Sequence, residues 1–337
     1  MSEAVEGGAR PSPESDDDRA PRVVVGVDGS PGSRAALVYA FAAAARRGAH
    51  LDVVATFSVQ AVWIGGYPLG MPMVSALREG TETRAQDLVD QVRHDPALAA
   101  VPGAADVPTR LIVSVGPAAQ RLVDTSATAD LLVVGSRGRG AVRSVLLGSV
   151  ALHCVTHAHC PVAVVHPTPA GHRQDRTVVV GVDGSAASRT ALEAAVAEAA
   201  RLDTGVAVVT AYELADHWVD LTTVVVPSED QVRWELQRGA EAMVDDVLAA
   251  HRAGTGGPAP FVEVVVTEGP AADVLLRWGA DAALLVVGAR GRSELRGLLA
   301  GSVALACAMH GAGPVLVVRP TGDRAGAAPA ARAVAGA

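Results

Sequence analysis

The chain repeats itself. "VVVGVDGS" at residues 23–30 returns letter for letter at 178–185, an offset of 155. "CPVAVVHP" at 160–167 returns as "GPVLVVRP" at 313–320, an offset of 153, and 15 of 27 aligned positions are identical between 114–140 and 267–293. Chance does not supply such agreement, so the 337 residues must fold as two copies of one unit, each of about 145 residues, an ordinary size for a single domain. The expected layout is an acidic disordered tail over 1–20, a first domain over 21–167, a polar linker "TPAGHRQDR" at 168–176, a second domain over 177–320 and an Ala/Gly-rich tail over 321–337.

Within each copy, short apolar runs alternate with helical patterns. In the first copy the strands are read at Arg22–Val27, Leu51–Phe57, Arg110–Val115, the "DLLVVGS" run and Pro161–His166. Helices are read at Ser33–Arg47, after Pro117 as a first helical residue, and at Gly148–Ala158. Strands made almost wholly of Val, Leu and Ile are buried on both faces, as parallel strands under helices must be. The βαβαβαβαβ order therefore predicts an α/β fold with a doubly wound parallel sheet in each half. The least regular stretch is 58–76, matched by 213–227. Both follow the second strand, where a loop either closes over a binding crevice or is a tolerated surface insertion.

Composition narrows the function classes. All 28 basic residues are arginine, so a P-loop lysine and a Schiff-base lysine are excluded. A net charge of -8 argues against nucleic acid as a bulk partner. The apolar run Leu37–Ala45 is far shorter than the roughly 18 residues of a membrane span, and the N-terminus lacks a secretory h-region. Three cysteines, Cys154, Cys160 and Cys307, suit a reducing compartment, so a cytoplasmic protein without a membrane partner is expected.

Two features of each copy fall at strand C-terminal ends, where ligands bind in such sheets. One is Asp28-Gly29-Ser30, repeated as Asp183-Gly184-Ser185. The other is Gly135-x-x-Gly138, nine residues, then Gly148-Ser149, repeated as Gly288-x-x-Gly291, nine residues, then Gly301-Ser302. Glycines let backbone N–H groups turn inward as an anion nest, and a helix-starting Gly-Ser adds free N–H groups, a dipole and a hydroxyl. The first loop continues through Ser136, Arg137, Arg139, Gly140, Ala141 and Arg143, the second through Ala289, Arg290, Arg292, Ser293 and Arg296. Their guanidinium groups can offset phosphate charge in a chain without lysine. The first-strand aspartate can accept from a ribose hydroxyl or an adenine amine, or hold Mg²⁺ through water. The competing reading takes the glycines as turns, Ser149 as a helix cap and the arginines as solvated loop charges; recurrence of the long spacing favours a nucleotide site.

The G-x2-G-x9-G-S pattern together with the first-strand aspartate resembles the ATP-binding class of the universal stress protein family, in its tandem form. The resemblance covers about 22–167 and 176–320 and implies a Rossmann-like (HUP-type) five-stranded sheet of order 3-2-1-4-5 in each half. It also implies one ATP per domain, alone or with Mg²⁺, and pairing through the last strand. By motif position the first site would use Gly26, Asp28, Gly135, Arg137, Gly138, Gly148, Ser149 and Val150. The second would use Gly181, Asp183, Gly288, Arg290, Gly291, Gly301, Ser302 and Val303, and backbone near Ala55 and Thr210 would face adenine.

His153-Cys154-x-x-His157-x-His159-Cys160 raises zinc, but the second copy keeps only Cys307 and His310 at matching places. A buried cysteine and outward histidines are the favoured alternative. For function, a nucleotide-binding regulator acting through a protein partner that the sequence does not name stands first. A slow ATPase or nucleotidyl transferase of the same fold is the rival, although the HxGH and SGGxDS signatures of such transferases are missing. The apolar last strands "PVAVV" and "PVLVV" read as sheet edges, so the halves should meet there as a pseudo-dimer, and two chains should assemble further as a homodimer.

Overall fold

A computed structural model describes residues 20–58, 71–138, 147–167, 177–213, 228–291 and 300–320. The expected tails up to residue 19 and from 321, and the expected linker, lie outside the described residues. The first half runs β1 (Arg22–Val27), α1 (Pro31–Arg47), β2 (His50–Phe57), α2 (Met71–Arg93), a one-turn α3 (Pro96–Ala99), β3 (Thr109–Val115), α4 (Ala118–Ser126), β4 (Leu131–Gly135), α5 (Ser149–His157) and β5 (Val162–Val165). The second half repeats this as β6 (Val178–Gly181), α6 (Ala186–Leu202), β7 (Val206–Tyr212), α7 (Glu229–Thr255), β8 (Val262–Glu268), α8 (Ala271–Trp278), β9 (Leu284–Gly288), α9 (Ser302–His310) and β10 (Val315–Val318).

The ten strands form one sheet, ordered β3-β2-β1-β4-β5-β10-β9-β6-β7-β8. Each half therefore has the order 3-2-1-4-5, parallel throughout, and the halves join where β5 meets β10 antiparallel, with Ala163 opposite Leu316. The last strands are thus interior: each pairs with the other and with β4 or β9. The outer edges are β3 and β8.

Helices cover both faces. One apolar cluster sets Val23, Val25 and Val53 against α1 and α2 and continues into α6 and α7 of the second half. The other sets Val24, Leu132 and Val134 against α4, α5, α8 and α9. Alternate residues of β1 thus serve opposite faces, as the period-two pleat requires. Complete burial of Leu37 and Phe41 on α1 stabilises the fold by about 2 kcal/mol each.

Local chemistry sets the helix ends. Ser30 caps α1, its Oγ accepting from the Ser33 N–H at 3.1 Å, with Pro31 as the first helical residue. Ser185 caps α6 in the same way. Gly48 ends α1 at φ 58, whereas Asp203 takes the equivalent left-handed place after α6 at φ 52. Pro117 proves to be the N-cap of α4 rather than its first helical residue. The stretch read as irregular is in part helical, since α2 already begins at Met71. No helix among the described residues is long and apolar enough to cross a membrane.

Candidate functional site: a glycine cradle at the carboxyl ends of the strands

The first site grows from the tip of β1. After Val27 the chain turns through Gly29, whose φ of 78 is left-handed, and the Ser30 N–H returns to Oδ1 of Asp28 at 2.9 Å. This turn touches the one that follows β4: the Ser30 hydroxyl donates to the Arg137 carbonyl at 3.5 Å. Gly138 lies so close to Asp28 that a Cβ there would stand 2.5 Å from Oδ2. The chain is described again from Leu147, and the Gly148 N–H donates to the Ser136 carbonyl at 2.8 Å. That bond holds the start of α5 against the end of β4. Gly148 is the N-cap of α5, with no side-chain capping bond, and the first-turn N–H groups of a helix have no acceptor within it.

These pieces surround an open cleft of about 750 Å³, within the range of small-molecule sites. Gly26, Asp28, Ala55, Gly135, Arg137, Gly138, Gly148, Ser149 and Val150 all line it. Ser136 is fully buried and does not. Arg139, Gly140, Ala141 and Arg143 lie outside the described residues.

The second half repeats the arrangement. Gly184 turns at φ 84, and Oδ1 of Asp183 accepts from the Ser185 N–H at 3.0 Å. A Cβ at Gly291 would stand 2.7 Å from Oδ2 of Asp183, and the Gly301 N–H donates to the Ala289 carbonyl at 2.7 Å. Gly301 is the N-cap of α9, which starts with Ser302 and Val303, and Arg290 is exposed beside Gly291. Gly181 and Gly288 end β6 and β9, and Thr210 lies on β7 at the place of Ala55 on β2. Arg292 and Arg296 lie outside the described residues.

Motif reading missed one wall. Leu77, Thr81 and Arg84 on α2, with Ala85 and Leu88, face the cleft from the side opposite α4. They bring a second guanidinium, that of Arg84, to the cleft that Arg137 also lines. Helical spacing of the buried Ala85, Val89 and Val92 could have oriented α2, but nothing marks Arg84.

The histidine and cysteine cluster on α5 does not converge. Cys154 and Cys160 are buried in the core, and burial pushes the Cys154 thiol up to about 12. The His153 and His157 rings stack at 4.2 Å farther out on the same helix. Among the described residues no three His, Cys, Asp or Glu side chains gather as a metal site.

At the seam between the halves, His166 at the end of β5 bonds through Nδ1 to the Gly313 carbonyl at 3.1 Å. Burial, reinforced by Arg137, holds its imidazole below the ordinary histidine range, although the carbonyl contact acts in the other direction.

Residues 20–166 and 175–319 each match the family model described as "Universal stress protein family". A universal stress protein of Mycobacterium tuberculosis is 33% identical over 306 residues, covering 88% of this chain and 96% of the relative. A second from that organism is 34% identical over 300 residues, with the same coverage. Among solved structures, a universal stress protein from Archaeoglobus fulgidus superposes with a TM-score of 0.60 at 17% identity, covering 90% of this chain and 99% of that one. Both halves share the sheet order and the glycine cradle, and both match one family model. The chain belongs to the universal stress protein family and carries two of its domains in tandem.

Proposed function

We propose that the protein is an ATP-binding regulatory module with one nucleotide site in each domain. The observation that carries this reading is the approach of Gly138 to Asp28 beside the N-terminus of α5, repeated by Gly291, Asp183 and α9. A glycine turn, a helix N-terminus and exposed arginine together suit a polyphosphate. The carboxylate at the tip of β1 or β6 suits a ribose hydroxyl or an adenine amine, and water-bound Mg²⁺ would add charge neutralisation at the phosphates.

Binding rather than turnover is the role we assign. Among the described residues lining the first cleft, Asp28 is the one carboxylate and no histidine is present. Its Oδ1 already accepts from the Ser30 N–H, so the group is better placed to orient a ligand than to shuttle a proton. Nucleotide would bridge the loop after β4 and the start of α5, and an effector protein would read that state in the cytoplasm. Since β5 and β10 pair within the chain, assembly of two chains would use other surfaces.

Denaturing the purified protein and assaying the supernatant tests the reading: adenine nucleotide, approaching two per chain after incubation with ATP, is expected. Sustained multiple turnover of Mg-ATP would instead favour the enzyme.

A further inference from the structure

Three buried side-chain polar atoms among the described residues have no hydrogen-bond partner: Ser136 Oγ, His166 Nε2 and Thr210 Oγ1. Thr210 is 4% exposed. It pairs in register with Val266 on β8, as Ala55 pairs with Val113 on β3, and Ala55 lines the first cleft. The threonine hydroxyl therefore stands at the place of the Ala55 methyl group, which lines the first cleft.

The strand ends differ in a patterned way. The first domain reads Ala55-Thr56-Phe57 and the second Thr210-Ala211-Tyr212. All three residues of the first set line its cleft. Adjacent strand residues face opposite sides of the sheet, so the exchange moves the hydroxyl from the α4 side in the first domain to the α7 side in the second. Tyr212 extends the polar character, its hydroxyl donating to Glu229 at 3.0 Å and accepting from Arg233 at 3.2 Å. A hydroxyl buried without a partner is unfavourable and is relieved when a ligand atom completes the bond.

We propose that the two sites are not equivalent, and that the Thr210 hydroxyl hydrogen-bonds the base edge of a purine nucleotide in the second site, which binds it more tightly than the first. This rests on the nucleotide reading above and adds to it the residue that distinguishes the sites.

Calorimetric titration of the full chain with ATP, on wild type, Thr210→Val and Thr210→Ser, tests it. Wild type should show two unequal affinities. Thr210→Val should weaken the tighter one about tenfold and leave the other unchanged, while Thr210→Ser, which keeps the hydroxyl, should retain both. Without ligand, Thr210→Val should melt higher than wild type, because the orphaned hydroxyl is gone. Unchanged affinities in Thr210→Val, or equal losses in Thr210→Val and Thr210→Ser, would overturn the inference while the nucleotide reading stood. No binding to wild type would overturn both.

Discussion

Gly138 and Asp28 are in contact across the first cradle: a Cβ at 138 would lie 2.5 Å from Oδ2 of the aspartate, and Gly291 stands to Asp183 in the same relation at 2.7 Å. The neighbour is the end of a side chain, so Gly138→Ala is accommodated when Asp28 rotates away. That rotation removes the carboxylate from its bond to the Ser30 N–H and from the cleft. The variant should melt within about 1 kcal/mol of wild type yet bind ATP at least tenfold more weakly at one of two sites, as read by calorimetry.

The domains are locked by a charge cluster that the internal repeat does not share. Glu198 on α6 accepts from Arg47 on α1 at 2.5 Å and from Arg201 at 2.7 Å, and both Arg47 and Glu198 side chains are 10% exposed. The repeat places Ala43 and Leu202 at the corresponding positions, so only one pairing of the halves satisfies the buried charges. Glu198→Ala leaves a buried guanidinium uncompensated and should lower stability by about 3 kcal/mol in chemical denaturation. Replacing the pair together, Arg47→Met with Glu198→Leu, should recover most of that loss.

Asp203 holds a left-handed conformation, φ 52, where the first half uses Gly48. A side chain in that region is strained by about 1 kcal/mol relative to glycine. Asp203→Gly should raise the melting temperature by about 2 °C.

His166 supplies a pH dependence. Its imidazole is held below the ordinary value of about 6.5, so the unfolded chain takes up this proton before the folded one does. Stability should therefore fall as pH drops from 7 to 5. His166→Gln retains a donor for the Gly313 carbonyl and removes the titration. Its melting temperature should decline less than that of wild type over this window.

The sheet was legible because its strands are runs of Val and Leu separated by Ala-rich helices, although α1, read from Ser33, starts two residues earlier at Pro31 behind its Ser30 cap. The cradle was legible because glycine at 135, 138 and 148 recurs at 288, 291 and 301. What escaped depends on contacts distant in sequence. The last strands look like edges, but β5 finds its antiparallel partner about 150 residues away. Pro and Gly before Met71 hid the first turn of α2. Pro117 looked like a first helical residue because the bend that makes it a cap lies in Gly116, at φ 118. Arg84 carries no motif, and only the packing of α2 brings it to the cleft; Thr210 is read for its backbone, whereas its unpartnered hydroxyl emerges only from the packing around β7.

Native mass spectrometry of the intact chain with Mg-ATP tests the central claim most directly. Two cradles predict successive additions of one and then two nucleotides, with Gly138→Val stopping at one. A chain that stays nucleotide-free at saturating ATP, or a Gly138→Val chain that still takes up two, would contradict it.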